Sequence, residues 1–398
     1  MTTKEKVILG LLCVLNFTHM LDFMIMIPLG GHLIPHFHLS PQQFSWLVAA
    51  YTVTAGITGV ISAFFIDRFD RKKFLLYVFT GFIAGTFLCG IAPSYILLLA
   101  TRIITGAFGG VIASLVLAII GDTFSYERRG VAMGIVMSSM SIATIFGVPL
   151  ALWMANKYSL HAPFIFVGLI GLVTIPFAMK FLPTMNTHIN KEARNISIAG
   201  TLSNVFKSPS QITALALTGS LMLGHFLIIP FVIPYLEFNV GFNSSQIPLI
   251  YLVGGTLTFI SSPIIGKLAD QFGKMKVFII FVLVSFAPVF LITNMPSVHY
   301  LIVIGIMGSW FMISASRTIP AQTMVSNVVK SNHRGSFMSF NSCVQQLVIG
   351  LASIVAGLII TQDESGRISH FNWLGYMSII IISTSMLLAK RLSRMAIV

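Results

Sequence analysis

The chain has 398 residues, of which 56% are hydrophobic and only 9% are charged. So few charged side chains cannot cover the surface of a soluble protein of this length, so the composition predicts a polytopic membrane protein. The formal net charge of +13 comes from basic residues that follow a topological pattern, and it therefore indicates no nucleic-acid partner. The three cysteines, Cys13, Cys89 and Cys343, fall in apolar segments and are expected to pack in the core.

Apolar segments long enough to cross a membrane, about 20 residues each, recur along the whole chain. Twelve spans are predicted, at 7–28, 44–66, 74–92, 95–121, 131–154, 164–182, 209–235, 248–268, 277–295, 300–324, 336–361 and 373–390. The first span follows Lys4 and Lys6 as a signal peptide would, but no small-residue cleavage site follows it, so we expect a retained helix. The longest polar stretch, 183–208, predicts a cytoplasmic linker between a six-helix bundle at 1–182 and another at 209–398.

The basic residues predict the orientation of the spans. If the N-terminus is cytoplasmic, 20 of the 24 lysines and arginines fall in cytoplasmic segments. Lys157 and Arg367 fall outside, and Arg102 and Arg317 lie within spans. By the positive-inside rule, both termini are predicted to be cytoplasmic, in a plasma (inner) membrane whose lipid headgroups the basic loops contact.

Short sequences repeat between the two halves. Arg129-Gly130-Val-Ala-Met-Gly before span 5 matches Arg334-Gly335-Ser-Phe-Met-Ser before span 11, at an offset of 205 residues. His19 and Pro28 in span 1 match His225 and Pro234 in span 7, both at an offset of 206 residues. Duplicated halves with a site near the bilayer midplane are typical of secondary transporters.

Loop and helix motifs resemble one transporter family. Gly266-Lys-Leu-Ala-Asp270-Gln-Phe-Gly273-Lys274 resembles the loop motif of the major facilitator superfamily, and Asp67, Arg68, Arg71 and Lys72 stand in a degraded first-half copy. Arg102-Ile-Ile-Thr-Gly106-Ala-Phe-Gly109-Gly110 resembles the fourth-helix motif of proton-coupled members. Gly147-Val-Pro149 resembles the glycine-proline motif of antiporters, although Val148 intervenes.

The resemblance is to the twelve-helix drug:proton antiporter group, which also contains sugar and metabolite exporters. It implies two pseudo-symmetric six-helix bundles around a central cavity, a small-molecule substrate, protons as the coupling ion, no cofactor and a monomer. The loop residues are expected to form a cytoplasmic gating latch, in which Asp67 and Asp270 pair with helix ends while the lysines chiefly mark topology. The small residues Gly106, Gly109, Gly110, Gly134 and Gly147 are expected to let helices approach closely.

Asp22 and Arg102 are the strongest candidate site residues. An ionised group inside a membrane span is expensive and is usually functional. Counted at 1.5 Å per residue, Asp22 lies about 9 Å below the outer end of span 1, and Arg102 lies about 10 Å into span 4. The matched depths predict an ion pair, either as a proton-coupling site or as a purely structural buried pair.

Further polar residues are candidates for the substrate cavity. His19 is three residues before Asp22, and His225 is its counterpart in the other half; each is either a site residue or a helix-to-helix hydrogen-bond donor. Arg317, about 25 Å in from Tyr300, either snorkels to the cytoplasmic interface or faces the cavity, where it would favour an anionic substrate group. The other candidates are Tyr51, Trp310, Asn341, Gln345 and Gln346.

These patterns predict a secondary active transporter that exports a small organic molecule or drug in exchange for protons. The alternatives are proton-coupled uptake, passive facilitation or a transporter-like receptor. No phosphate-binding loop, His-Glu-x-x-His motif or cysteine metal cluster is present in the sequence, so an enzyme or an ATP-driven pump is not expected.

The topology is tested by reporter fusions. A reporter fused after Lys157 should report an external position, and one fused after Lys191 a cytoplasmic position, because the basic residues concentrate on one side. Paired alkaline phosphatase and fluorescent-protein fusions measure the two positions. The opposite pattern would contradict the predicted orientation.

Overall fold

The computed structural model describes residues 2–62, 69–124, 126–185, 208–329, 334–363 and 366–395. Within these residues, twelve helices are long and apolar enough to cross a membrane, as predicted. They are numbered here as spans 1 to 12 and run Thr3–Ile25, Pro41–Ser62, Arg71–Cys89, Tyr95–Thr123, Val131–Lys157, Ala162–Phe181, Pro209–Val240, Ser244–Phe272, Lys274–Thr293, Tyr300–Ser326, Phe337–Ile359 and Phe371–Met395. Their ends differ from the predicted ends by at most five residues.

Three short elements were not predicted. A helix at Gly30–Phe37 follows span 1, and the next residue, His38, caps its C-terminal end in a left-handed backbone conformation. Thr361–Gln362 and Ile368–Ser369 form a small antiparallel hairpin between spans 11 and 12. These elements are too short to carry a hydrophobic period, which is the signal from which the spans were predicted.

Prolines interrupt two spans. Span 5 is formed by the helix Tyr126–Ile142, from Val131 onward, and the helix Val148–Lys157, which are joined by a π-helical turn at Ala143–Gly147. Pro149 cannot donate a backbone hydrogen bond into this turn, which accounts for the wider winding. Span 7 breaks at a turn between Pro209–Phe226 and Ile229–Tyr235, where Pro230 removes a donor, and it ends in a π-helical segment at Leu236–Val240.

The chain divides into two compact units. The first contains residues 1–26 and 50–201, and the second contains residues 27–49 and 202–398. The connection between spans 1 and 2 and the start of span 2 therefore cluster with the second unit. In that unit Phe44 packs edge-on against Phe231, with the ring centroids 6.0 Å apart.

Each unit has its own helix packing. In the first, span 1 packs against spans 4, 5 and 6, and span 3 packs against spans 4 and 6. In the second, span 10 packs against spans 7, 8 and 9, and span 7 also packs against spans 11 and 12. Span 1 and span 4 are thus neighbours, and span 10 is a neighbour of both span 7 and span 9.

Glycines on span 4 allow span 2 to approach closely. A Cβ at Gly106 would overlap the backbone of Tyr51, and a Cβ at Gly110 would overlap the backbone of Ala55. At Gly147 in span 5, a Cβ would lie 2.8 Å from Leu21 Cδ1. Gly134 is different, because a Cβ there meets no described atom within 4 Å. Close helix packing therefore does not explain Gly134, and that interpretation of the sequence was wrong.

The contrast between Gly110 and Gly134 can be tested. Gly110→Ala should lower the free energy of unfolding by about 1–3 kcal/mol, because the added methyl group meets backbone that cannot move aside. Gly134→Ala is the matched control and should leave stability unchanged or raise it by about 0.5–1 kcal/mol. The measurement is the thermal unfolding midpoint of the detergent-purified variants. Equal midpoints would contradict the packing role of Gly110.

Candidate functional site

Asp22 and Arg102 form an ion pair within the first unit. Arg102 Nη1 donates to Asp22 Oδ2 over 2.8 Å, and the side chains of Arg102 and Asp22 are 1% and 0% exposed, respectively. Asp22 stands three residues before the end of span 1 at Ile25, and Arg102 lies in the second turn of span 4, which starts at Tyr95. The packing of span 1 on span 4 brings the two residues together. Both charges are thereby buried in contact with each other.

Thr86 of span 3 completes the coordination of the carboxylate. Its hydroxyl has one proton and two acceptors within reach, Asp22 Oδ1 at 3.2 Å and the carbonyl of Phe82 at 3.0 Å. Each carboxylate oxygen therefore has a donor within hydrogen-bond distance. A threonine in an apolar span offers no distinctive sequence signal, and sequence reasoning missed this residue.

Tyr51 of span 2 covers the arginine of the pair. The Arg102 guanidinium carbon lies 4.4 Å from the centroid of the Tyr51 ring, a cation–π distance. The absence of a side chain at Gly109 makes room for the tyrosine, since a Cβ there would lie 2.5 Å from Tyr51 Oη. Tyr51 Oη is buried and makes no hydrogen bond with the described residues.

His19 lies beside this pair. It is buried, and its ring centroid lies 5.7 Å from that of Phe82 and 6.5 Å from that of Tyr51. Neither ring nitrogen makes a hydrogen bond of good geometry within the described residues, although the ring lies beside the backbone of Gly109 in span 4. His19 thus adds buried polar atoms with unused hydrogen-bonding capacity to the surroundings of Asp22.

The second unit brings three other candidates together. Arg317 Nη1 donates to Ser285 Oγ over 2.8 Å, and Nη2 lies 3.4 Å from Nδ1 of His225. The His225 ring is 5.0 Å from the ring of Trp310. Arg317 is 2% exposed, so it does not snorkel to an interface, and that alternative was wrong. Ser285, eleven residues into span 9, holds the guanidinium near the middle of that helix.

Three more candidates lie on span 11. Asn341 is buried, and its Oδ1 has no hydrogen-bond partner among the described residues. Gln345 is partly buried, as is Gln346, whose Oε1 is likewise unpartnered within the described residues. Within the described residues, none of these three side chains forms a hydrogen bond with Arg317, His225 or Trp310.

The first-half loop motif is partly visible. Asp67 and Arg68 lie outside the described residues. Arg71 forms a 2.9 Å ion pair with Asp122 and donates to the carbonyl of Ala118 over 2.8 Å, so it ties the start of span 3 to the end of span 4. Asp70 caps span 3 by accepting from the Lys73 N–H over 3.0 Å. An aspartate directly before a helical run is a known capping signal, from which this role could have been predicted.

The second-half loop motif forms a tight turn. Gly273 has φ of 91° and joins span 8, which ends at Phe272, to span 9, which begins at Lys274. Only glycine adopts this conformation without strain. Asp270 is exposed, and Gly266 stands where a Cβ would meet no described atom within 4 Å.

Comparisons with known proteins agree with the fold. Residues 12–353 and 214–394 match the sequence profile of the Major Facilitator Superfamily. The "uncharacterized MFS-type transporter YceJ" of Bacillus subtilis is 23% identical over 373 residues, which cover 94% of this chain and 93% of that protein. A bacterial homologue of the human lysosomal transporter Spinster superposes with a TM-score of 0.77 at 14% identity, covering 100% of this chain and 98% of that one. The peptide transporter POT gives a TM-score of 0.76 at 13% identity, covering 98% and 95%.

The contact between Tyr51 and Arg102 leads to a stability prediction. Tyr51→Leu should lower the free energy of unfolding by about 1–2 kcal/mol, because it removes the ring that faces the guanidinium. Tyr51→Phe keeps the ring and should match the parent protein, since the hydroxyl makes no hydrogen bond with the described residues. Thermal unfolding in detergent compares the two. An equal loss in both variants would show that the hydroxyl, and not the ring, stabilises this region.

Proposed function

The chain belongs to the major facilitator superfamily, and we propose that within it the protein works as a proton-coupled exporter of a small organic molecule. The family assignment makes it a multi-pass membrane transporter with a small-molecule substrate. Proton coupling and export are the finer parts of the proposal. They rest on the residues of the first unit and on their resemblance to antiporter motifs.

The buried ion pair of Asp22 with Arg102 carries the proposal. Proton coupling needs a group that binds a proton in one conformation and releases it in another. Desolvation disfavours the charged form of a carboxylate, whereas a nearby arginine favours it. Withdrawal of Arg102 from its 2.8 Å contact would therefore favour a protonated Asp22, and its return would expel the proton.

The neighbours of the pair suit a binding site. His19 and Tyr51 present buried polar atoms that have no partner among the described residues. A polar substrate group that bonded to them would stand next to Asp22 and could oppose its protonation. Antiport requires at least that proton and substrate compete for one location. We assign His19 a tuning or substrate-contacting role.

The remaining parts of the proposal concern gating and location. Asp270, Gly273 and Lys274 lie at the turn between spans 8 and 9, and Arg71 lies at the start of span 3, so we assign them to gating rather than to substrate binding. The basic residues support a plasma-membrane protein with both termini cytoplasmic. We propose that it functions as a monomer.

Proton-coupled uptake and passive facilitation are the competing functions. Passive facilitation needs no titratable carboxylate in the membrane, and Asp22 therefore argues against it. Uptake with a proton would use the same pair, and the two coupled functions differ in whether the proton and the substrate move in opposite directions. The motif around Gly147 and Pro149 favours export by resemblance.

The proposal is tested in sealed proteoliposomes with an imposed pH gradient. Three probes that differ in charge are supplied, namely ethidium, benzenesulfonate and chloramphenicol, and their accumulation is measured with and without the gradient. The wild-type protein should accumulate at least one of them against its gradient when protons leave through the protein. Asp22→Asn should abolish this accumulation, Arg102→Ala should impair it strongly, and His19→Ala should have a milder effect.

Asp363→Asn is the matched control for the carboxylate. It makes the same substitution at an exposed position in the hairpin between spans 11 and 12, and it should couple like the wild type. If gradient-driven accumulation survives in Asp22→Asn, the proton site is not Asp22, and His225 is the next candidate. Accumulation that does not depend on the gradient in the wild type would support passive facilitation instead.

A further inference from the structure

Arg317 is a buried cation without a carboxylate partner. The described residues contain three ion pairs, Arg71–Asp122, Arg102–Asp22 and Arg128–Glu5, and none of them involves Arg317. The sequence explains why, because the acidic residues after position 208 are only Glu237, Asp270, Asp363 and Glu364. Glu237 stands twelve residues after His225 and accepts a hydrogen bond from Ser244, and Asp270 is exposed at the end of span 8. Asp363 is exposed directly after the strand Thr361–Gln362, and Glu364 lies outside the described residues.

The neighbours that Arg317 does have are neutral. Ser285 Oγ accepts a hydrogen bond from Arg317, and its own hydroxyl donates to the carbonyl of Val282 over 2.7 Å. A guanidinium has five N–H groups and can only donate. Nδ1 of His225 must therefore be the acceptor, which makes the ring neutral and places its proton on Nε2. Two of the five N–H groups are used within the described residues.

Two further groups on span 10, Trp310 and Ser314, can donate hydrogen bonds. Trp310 Nε1–H can only donate, and it is buried without a partner in the described part of the chain. Ser314 Oγ is buried and unpartnered within the same residues. Trp310, Ser314 and Arg317 stand at spacings of four and three residues, so they share one face of span 10. This face of span 10, together with Nε2–H of His225 on span 7, offers several hydrogen-bond donors and the positive charge of Arg317.

We propose that Arg317, His225, Trp310 and Ser314 form a binding site for an anionic group, so that the substrate carries a carboxylate, sulfonate or phosphate. An anion would accept hydrogen bonds from the unused N–H and hydroxyl donors and would supply the missing counter-charge. Ser285 is a positioning residue, because it orients the guanidinium and has no hydrogen left for a ligand. The inference deepens the proposed function and rests on it only in identifying the bound anion with the transported substrate.

The site is tested by equilibrium binding to the detergent-purified protein, without any transport. The probes are benzenesulfonate and benzoate, with benzenesulfonamide and benzamide as neutral analogues of nearly the same shape, at constant chloride concentration. The two anions should raise the thermal unfolding midpoint in a saturable way, since a ligand that binds the folded state stabilises it. The neutral analogues should bind at least about tenfold more weakly, because they lack the charge that strengthens hydrogen bonds to arginine.

Variants assign the binding to named residues. Arg317→Gln should weaken anion binding about ten- to hundredfold, the loss expected when hydrogen bonds to a charged group are removed. Trp310→Phe retains the ring, removes one neutral donor and should weaken binding about two- to tenfold, so it tests the site even if Arg317→Gln fails to fold. Trp310 is the buried tryptophan among four, the others being Trp46, Trp153 and Trp373. An anion-dependent fluorescence change should therefore be lost in Trp310→Phe.

The outcomes separate this inference from the proposed function. Asp363→Asn should bind both anions like the wild type, because Asp363 is exposed and belongs neither to the proposed anion site nor to the Asp22–Arg102 pair. Equal binding of anions and neutral analogues, no saturable anion effect, or full anion binding by Arg317→Gln and Trp310→Phe would each overturn the anion site. Any of these could occur while gradient-driven transport persists, and loss of transport coupling could occur while anion binding persists.

Discussion

The first unit depends on the ion pair between Asp22 and Arg102. Each charge alone would cost roughly 3 kcal/mol or more in the membrane interior, and removing one partner from a buried pair costs about 3–5 kcal/mol because the other is left uncompensated. In this conformation the pair therefore holds spans 1 and 4 in the register that places Arg102 Nη1 2.8 Å from Asp22 Oδ2. Thr86 and Tyr51 fit around this contact, and Gly106, Gly109 and Gly110 allow span 2 to lie close enough for Tyr51 to reach it.

The second unit buries an arginine without a carboxylate partner among the described residues. His19 and His225 correspond at a spacing of 206 residues, but the position that corresponds to Asp22 at this spacing is Ile228. Its arginine, Arg317, has neutral neighbours and unused donors where Arg102 has a carboxylate. Each unit thus has a buried arginine, although Arg317 and Arg102 do not correspond in the repeat, and only the first unit supplies a carboxylate for it. This asymmetry is the physical reason to assign the proton to one unit and an anionic group to the other.

Much of this arrangement was predictable from the sequence, and the remainder depends on side-chain geometry. Hydropathy located all twelve spans, because every span is long and apolar. The depths of Asp22 and Arg102, counted from the span ends, were enough to suggest their contact. The burial of Arg317 was not predictable, since its place along span 10 fits an interfacial position equally well, and the contact with Ser285 is set by the packing of spans 9 and 10. Thr86 and Ser285 resemble many other hydroxyl residues in apolar helices.

The two buried arginines also constrain how proton and substrate are coupled. Protonation of Asp22 would leave Arg102 without its counter-ion, and the cost of that uncompensated charge favours the return of the arginine to the carboxylate. Export by antiport requires substrate and proton to exclude one another. The proposed mechanism therefore needs a substrate group that contacts the buried polar atoms of His19 and Tyr51 beside Asp22. The proposed anion site at Arg317 belongs to the second unit and is argued from its own neutral neighbours, so anion binding there does not by itself exclude a proton from Asp22. The contact at His19 and Tyr51 is thus the step on which the proposed export, rather than anion binding, depends.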